Sequence, residues 1–401
     1  MAALFVPPSP TIPRETERPH HLRETINDEI SGARTAIQSG HPVLIIDDCA
    51  SASASALVTA ASVVTNEAVN LISRISGGLI QVAISARRAS QFMLHPQRSR
   101  HELPAGQPPS AYSKEDWLVS VEARLGVGSG ISIADRRTTI RILGSEHPQP
   151  GDIARPGHIF PCRCHPGGVV ARAAIPEAAL DLVVGFGMPD AAVFSYLLGS
   201  DGEISSPAEA QSFATSQDIP SIKLSSLISW RLQHEPLVEQ VACSELPTHL
   251  GNITKIHIFR SLVDNSEQVA LVHGVIRPEE PTLVRVHIED PLDDLIGLHS
   301  PHRSRGRLDA ALHQIGGASS GVLVYLRPPL GRNALSERLS QPDSSAPPTS
   351  RPSTMMEFGV GARILRALGV EAVTILCRTP RSYDILELFG LRVVGYQELL
   401  S

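Results

Sequence analysis

Short apolar runs alternate with amphipathic segments along most of this chain of 401 residues, and that alternation limits the folds open to it. The runs are rich in Val, Ile and Leu and have the length of buried strands, while the segments between them place apolar residues at helical spacing. Strands that alternate with helices form α/β domains. In the first half, strands are predicted at 42–48, 77–85, 117–125, 157–164 and 191–199, and helices at 22–39, 66–75, 133–144, 176–187 and 207–217.

The second half mixes strands and helices less regularly. Strands are predicted at 269–276, 282–288, 321–327 and 372–378, and helices at 307–315 and 357–369. The fold class that we expect is therefore a two-domain α/β (α+β) protein. We place a disordered lead-in at 1–20, the first domain at 21–232 and the second at 233–401, with a mobile loop at 340–354 because that stretch is rich in Ser and Pro.

Composition excludes several classes of protein. The net charge of −6 is opposite in sign to that of a general nucleic-acid binder. No apolar run reaches the roughly 18 residues of a transmembrane helix, and the Pro-rich N-terminus is unlike a secretory signal. The five cysteines are scattered and odd in number, so no disulfide framework is indicated. We expect a cytoplasmic protein that binds neither nucleic acid nor membrane.

An uncharged segment follows the first predicted strand. That strand ends in Asp47 and Asp48, and no charged residue then occurs from Cys49 to Asn66. An α/β enzyme normally presents polar groups where such a strand ends. The segment could be a flexible linker, the start of a helix, or a site that has lost its chemistry.

Two long stretches resemble a known synthase. SVEARLGVGSGISIADRRTTIRIL (120–143) and RPGHIFPCRCHPGGVVARAAIPEAALDL (155–182) are similar to 3,4-dihydroxy-2-butanone-4-phosphate synthase, which acts on ribulose 5-phosphate with magnesium. LPTHLG, ALVHG, LVRVHIED, VLVYLR and EFGVGARILRALGV resemble GTP cyclohydrolase II. In this order, the two halves resemble the bifunctional RibBA fusions of riboflavin biosynthesis.

The resemblance gives one interpretation of the uncharged segment. In the synthase family this place carries an acidic loop, which binds magnesium and transfers protons. Here Asp47 and Asp48 remain, but the positions of the catalytic and metal-binding residues hold Ser51, Ala52, Ala54 and Ala56. Magnesium needs hard oxygen ligands, and proton abstraction needs a base of suitable pKa. Alanine supplies neither, so we interpret the loop as a degenerate site.

Remnants of the synthase site are predicted elsewhere. By resemblance, His158 matches a metal-ligand histidine and Glu177 a late acidic residue, so both are candidate catalytic remnants. The candidate phosphate-binding residues are Arg155, Ser129, Gly130, Ser132, Asp135, Arg136, Thr138 and Thr139. Glycines and a helix N-terminus with hydroxyl donors can cradle a phosphate. The alternative, that Asp135 caps or pairs within a structural helix, carries equal weight.

The second half departs from its family as well. GTP cyclohydrolase II holds zinc with three cysteines, but residues 287–308 contain none. Zinc is therefore not expected. The ligand positions hold Asp290, His302 and Ser304 instead, and His299 or His302 could belong to an altered site. The Cys162, Cys164 and His165 cluster is interpreted as structural, with both thiols on one face of a strand.

Two functions from different classes follow. The first is a diverged RibBA homologue without its standard activities, which acts as a binding or regulatory partner in a homodimer or in a heterodimer with an active paralogue. The alternative is an enzyme that retains or alters sugar-phosphate chemistry through His158, Glu177, Asp47 and Asp48, with Mg²⁺ as its cofactor. A sugar phosphate or a nucleotide is the ligand class in either case.

Overall fold

The computed structural model describes residues 18–49, 54–97, 116–245, 255–263, 265–295, 307–327, 351–377, 386 and 389–400. The first sheet and its helices comprise α1 Arg18–Gln38, β1 Val43–Ile46, β2 Ser55–Ala60, α2 Asn66–Ile75, β3 Gln81–Ile84, α3 Ala86–Gln91, β4 Asp116–Trp117, β5 Val121–Ala123, α4 Ile133–Leu143, β6 Ile153–Arg163, α5 Ile175–Gly185, β7 Ala191–Tyr196, α6 Pro207–Ser216, β8 Ser221–Lys223 and α7 Leu224–His234.

The first sheet is mixed and lies between two layers of helices. Its strand order is β4-β6-β3-β7-β2-β1-β8, and β5 pairs with β6 beside this path. One face packs on apolar residues of α1, α5 and α7. The other face packs on α2, α4 and α6. The predicted α/β class is confirmed, but β7 is antiparallel to both β2 and β3, so the sheet is not parallel throughout.

The second sheet has seven described strands in the order β15-β14-β12-β13-β11-β10-β9. It is parallel at the β15 end and antiparallel at the β9 end. One face packs on α9 and the other on α10. The elements are β9 Val238–Ser244, β10 Lys255–Ser261, β11 Glu267–Gly274, β12 Thr282–Ile288, α8 Pro291–Asp294, α9 Arg307–Gly316, β13 Ser320–Leu326, α10 Arg351–Ala367, β14 Ala372–Cys377 and β15 Arg392–Glu398.

The uncharged segment contains a strand that the sequence did not predict. Ser55–Ala60 forms β2, antiparallel to β1 and to β7. All six residues are buried, so neither face needs a polar side chain and no alternation marks the strand. Residues 50–53 lie outside the described part, but from Ala54 onward the segment is neither a linker nor a helix start.

Other boundaries also differ from prediction. The single strand expected at 117–125 is two short strands, β4 and β5, that both pair with β6. Helix α10 begins at Arg351, inside the loop expected at 340–354, and α1 begins at Arg18, inside the predicted lead-in. Cys162 and Cys164 are buried together while His165 is exposed, as expected for a structural role. No described helix is long and apolar enough to cross a membrane.

Arginines join the C-terminal end of α7 to its surroundings. Arg231 donates to Asp181 Oδ2 at 2.6 Å and to the Gly167 carbonyl at 3.1 Å. Arg363 of α10 donates to the carbonyls of Gln233 and Glu235, each at 2.8 Å. The last carbonyls of a helix have no partner within the helix, so a guanidinium there satisfies them. Helix α7 is thereby bonded to both halves of the chain.

A buried arginine fixes α3 against the rest of the first sheet. Arg88 is 2% exposed, and its guanidinium donates to Asp190 Oδ1 and to the carbonyls of Leu143 and Ser145. Burial tends to raise the pKa of Asp190, but hydrogen bonds from Ser85 and Arg88 outweigh it, so that the pKa is lowered. Arg87 contacts the same carboxylate from an exposed position.

These two arginines provide a matched test. Replacing a buried partner leaves an unpaired buried charge, which costs about 3–5 kcal/mol, whereas an exposed ion pair contributes up to about 1 kcal/mol. We expect Arg88→Ala to lower the free energy of unfolding by about 3 kcal/mol or more, and Arg87→Ala by less than about 1 kcal/mol. Urea unfolding of the three proteins measures this difference, and equal losses would contradict the assigned role of Arg88.

Candidate functional site

A histidine and a glutamate pair at the edge of the first sheet. His158 lies on β6 and Glu122 on the neighbouring β5, with Nδ1 of His158 2.6 Å from Oε2 of Glu122. The side chains are 46% and 14% exposed. A carboxylate only accepts hydrogen bonds, so the imidazole proton sits on Nδ1 and Nε2 is the ring nitrogen that can accept another proton. The pair has the form of an oriented acid–base group.

The surroundings of this pair hold Glu122 in place. Thr139 is fully buried, donates to Glu122 Oε1 at 3.3 Å and accepts from the Ala123 amide at 3.0 Å. Gly130 has a positive φ of 74°, and a Cβ there would collide with the Glu122 carboxylate. Glycine at this position therefore permits both the turn and the approach of Glu122. His158 was predicted from its motif, whereas Glu122 was not, because only the pairing of β5 with β6 places it beside His158.

The predicted phosphate cradle is filled by a carboxylate of the chain itself. Asp135 accepts hydrogen bonds from the amides of Gly128, Ser129 and Gly130 at 3.3, 3.1 and 3.0 Å. Desolvation tends to raise its pKa, but the amide and hydroxyl donors outweigh it, so that the pKa lies below the ordinary value. Ser132 caps α4 by accepting from the Asp135 amide. These amides already have an anionic acceptor, which favours the structural alternative.

The other predicted phosphate ligands contact different parts of the scaffold. Arg136 donates to Ser73 Oγ and to the Gly78 carbonyl, both at 3.0 Å. Thr138 donates to the carbonyl one turn back in α4. Arg155 is exposed and donates to the Phe92 carbonyl. The structure thus brings Ser129, Gly130, Ser132 and Asp135 together at the start of α4 and directs the two arginines elsewhere.

Glu177 belongs to a separate, buried network. Its carboxylate is fully buried in the first turn of α5 and pairs with Arg172, while Oε1 also accepts from the His165 amide at 2.9 Å. Oε2 has no hydrogen-bond partner among the described residues. The neighbouring Cys164 donates to the Pro176 carbonyl, and burial, then Glu177, raises the pKa of its thiol well above the ordinary value. No described contact joins Glu177 to His158.

The two aspartates after β1 serve the local fold. Asp48 accepts from the amide and the hydroxyl of Ser225, at 3.0 and 2.6 Å, and so caps the start of α7. Asp47 accepts from the Cys49 amide at 2.9 Å. After Cys49 the next described residues are Ala54, Ser55 and Ala56. Among these three, only Ser55 has a side-chain oxygen, and Ser55 is fully buried in β2.

The second half contains a buried polar network that the sequence did not predict. His287 Nε2 lies 2.9 Å from Asp294 Oδ1, and Tyr325 donates to Asp294 Oδ2 at 2.9 Å. The imidazole and the phenol ring also stack. Burial, then the carboxylate of Asp294, raises the pKa of Tyr325. Only the fold brings Tyr325 to the other two, since it lies on a neighbouring strand.

The predicted ligand positions of the second half are only partly described. Asp290 lies one residue before α8, and its amide donates to Asp294 Oδ2 at 3.0 Å. His299, His302 and Ser304 fall outside the described residues. Within the described part of the chain, no three His, Cys, Asp or Glu side chains form a group able to hold a metal ion.

Comparisons with known proteins identify both halves. Residues 31–230 match the family 3,4-dihydroxy-2-butanone 4-phosphate synthase, and residues 239–398 match GTP cyclohydrolase II. The chain is 34% identical to riboflavin biosynthesis protein RibBA of Aquifex aeolicus, over 94% of this chain and 93% of that protein. It is 33% identical to a 3,4-dihydroxy-2-butanone 4-phosphate synthase of Pseudomonas aeruginosa, over 90% and 96%.

A solved structure supports the same assignment. RibBX of A. baumannii, a two-domain 3,4-dihydroxy-2-butanone 4-phosphate synthase, superposes with a TM-score of 0.73 at 28% identity, and the match covers 93% of this chain and 99% of that one. Both halves of the resemblance are therefore confirmed in the predicted order. The chain belongs to the RibBA family of riboflavin biosynthesis proteins, with a 3,4-dihydroxy-2-butanone 4-phosphate synthase domain followed by a GTP cyclohydrolase II domain.

Proposed function

We propose that this chain is a diverged RibBA homologue that has lost both standard activities and acts as a binding or regulatory partner. The observation that carries the proposal is the engagement of Asp48. Both of its carboxylate oxygens accept hydrogen bonds from Ser225, at the place where the family resemblance requires an acidic, metal-binding loop. A carboxylate in that role is part of the scaffold.

The residues around that place do not fit magnesium. Mg²⁺ demands near-octahedral oxygen coordination and is usually bound through one or two carboxylates plus substrate phosphates. Here Asp48 caps α7, Glu177 is paired with Arg172, and the Ser and Ala residues at 51–56 offer no carboxylate. We therefore derive no reaction step through a magnesium ion.

The sequence of the second half supports the same proposal. Zinc that activates a water for hydrolysis is held by three protein ligands, which in this family are cysteines. Residues 287–308 contain no cysteine, and the two cysteines of the second half, Cys243 and Cys377, lie on strands β9 and β14. Asp290 offers a carboxylate at the position of one of the family's three thiolate ligands. The described residues offer no replacement for the other two.

The names of the relatives fit a family in which one activity can be absent. The proteins from Pseudomonas aeruginosa and A. baumannii align with at least nine-tenths of this chain, including its second half. Both are named for the synthase activity alone. Relatives that align with both halves can thus be named for one activity, and the proposal for the present chain leaves out the other as well.

The proposal predicts the outcome of a complementation test. We expect the chain to fail to rescue riboflavin auxotrophs that lack either activity, because neither site has the ligands for its metal. The RibBA protein of Aquifex aeolicus, expressed in the same strains, serves as the positive control. Growth of either auxotroph with the present chain would contradict the proposal for that domain.

A role as a partner predicts self-association or association with an active relative. We expect sedimentation velocity of the purified chain to give a particle of two chains, in keeping with the family resemblance. The active paralogue from the same cell, where one exists, should form a mixed particle with it. A monomer at all concentrations that also fails to join an active paralogue would contradict the partner role.

The paired His158 and Glu122 favour a second candidate, a retained or altered sugar-phosphate reaction in the first domain. In it, His158 would move a proton through Nε2 while Glu122 orients the ring, and a positioned base of this kind accelerates a reaction about 10²–10⁴-fold. Release of formate from ribulose 5-phosphate with Mg²⁺ present would support it. His158→Asn and Glu122→Gln should then abolish the release, and His234→Asn should not.

A further inference from the structure

A cysteine and a histidine lie side by side at the exposed edge of the second sheet. Among the strands that the structure describes, β9 is the last of that sheet and pairs only with β10. Cys243 of β9 lies directly opposite His257 of β10, and its Sγ is 3.8 Å from Nε2 of the imidazole. The thiol is exposed to solvent. A nucleophile and a base are thus within reach of each other and of a ligand.

A third residue orients the imidazole. Nδ1 of His257 lies 3.3 Å from the side-chain oxygen of Gln240, which is also on β9. A carboxamide oxygen only accepts, so the proton of the neutral ring is on Nδ1. The lone pair of Nε2 therefore faces the thiol of Cys243. Cysteine, histidine and carboxamide have here the same order of roles that activates thiols in cysteine hydrolases.

The surroundings of His257 keep its imidazole uncharged at neutral pH. Burial lowers the pKa of His257, and the ammonium of Lys255 lowers it further. Lys255 lies on the same face of β10 as His257, and its Nζ is 3.7 Å from Oε1 of Glu245. The residue opposite on β11, Ala270, carries no charge. At neutral pH the ring is therefore uncharged, and the lone pair of Nε2 is free to take the thiol proton as the attack proceeds.

Cys243 is also the accessible thiol of this chain. Its other four cysteines are all buried: Cys49, Cys162, Cys164 and Cys377. Residues 239–244 of β9 are exposed, so a group attached to Cys243 has room outside the core. A reagent in solution should therefore react with Cys243 before the four buried cysteines, and the attached group has room.

We propose that Cys243 is a modification site for low-molecular-weight disulfides, with His257 as its base. His257 Nε2 takes the thiol proton, and the thiolate attacks one sulfur of the disulfide. A new bond joins Sγ of Cys243 to that sulfur, the original S–S bond breaks, and the other half leaves as a thiolate that takes the proton from His257. Cys243 is oxidised and the departing thiol is reduced. This site is independent of the proposed function and uses none of its residues.

Oxidised glutathione is a suitable probe. At pH 7 we expect intact mass to show one glutathione per chain, and peptide mapping to place it on Cys243. Cys243→Ser should take up none. His257→Asn should slow the reaction at least tenfold, since a positioned base contributes about 10²–10⁴-fold. His234→Asn, a histidine near the Trp230 carbonyl, is the matched control and should react at the normal rate.

The pH dependence separates a base from a structural role. At pH 10 hydroxide in solution can take the place of a positioned base, so His257→Asn should react as fast as the wild-type chain. The wild-type chain also gives a test that needs no variant. Its rate of reaction with oxidised glutathione at pH 7, divided by its rate at pH 10, should exceed the same ratio for free cysteine. Three results would overturn the proposal: a rate ratio equal to that of free cysteine, a rate for His257→Asn at pH 7 equal to that of the wild-type chain, or glutathione on a cysteine other than Cys243.

Discussion

The first domain depends on carboxylates that are bound by donors of their own chain. Asp48 joins the end of β1 to the start of α7, and Asp135 gathers the amides of the loop before α4. Glu177 holds Arg172 and the amide of His165. Each bond stabilises a junction between a loop and a helix, and each occupies oxygen atoms that a metal ion or a substrate proton would need. These bonds stabilise the fold, and under the function that we propose they also keep the carboxylates from a metal ion.

The consequences of the Asp48 cap extend to the second half. Helix α7 starts at this cap and ends where Arg363 of α10 donates to the carbonyls of Gln233 and Glu235. One helix thus connects the end of β1 in the first domain to α10, which packs on the second sheet. This continuous scaffold is compatible with the binding role that we propose.

Much of the fold could be predicted from the sequence because local signals agree with the global structure. Helix α2 begins and ends where the apolar spacing predicted, since Thr65 caps it and its apolar face is buried. Strand β2 could not be found in this way, because it is buried on both faces and its small residues show no alternation. Helix α10 begins in a polar, Pro-containing stretch, where composition favoured a loop.

The site residues also divide into those with a local sequence signal and those that only the fold brings together. His158 could be found because it lies in a motif, but its partner Glu122 needs the register of β5 and β6. Asp135 was a candidate with two roles, and only the three amides around its carboxylate favour the structural one. The network of His287, Asp294 and Tyr325 joins separate elements, so no local pattern reports it.

We propose that the carboxylates of Asp48, Asp135 and Glu177 serve the scaffold and form no site for a divalent cation. Calorimetric titration of the full chain with Mg²⁺, in the presence of ribulose 5-phosphate, tests this most directly. We expect no saturable heat of Mg²⁺ binding, either with this chain or with Asp48→Asn. Stoichiometric binding that disappears in Asp48→Asn would contradict the proposal.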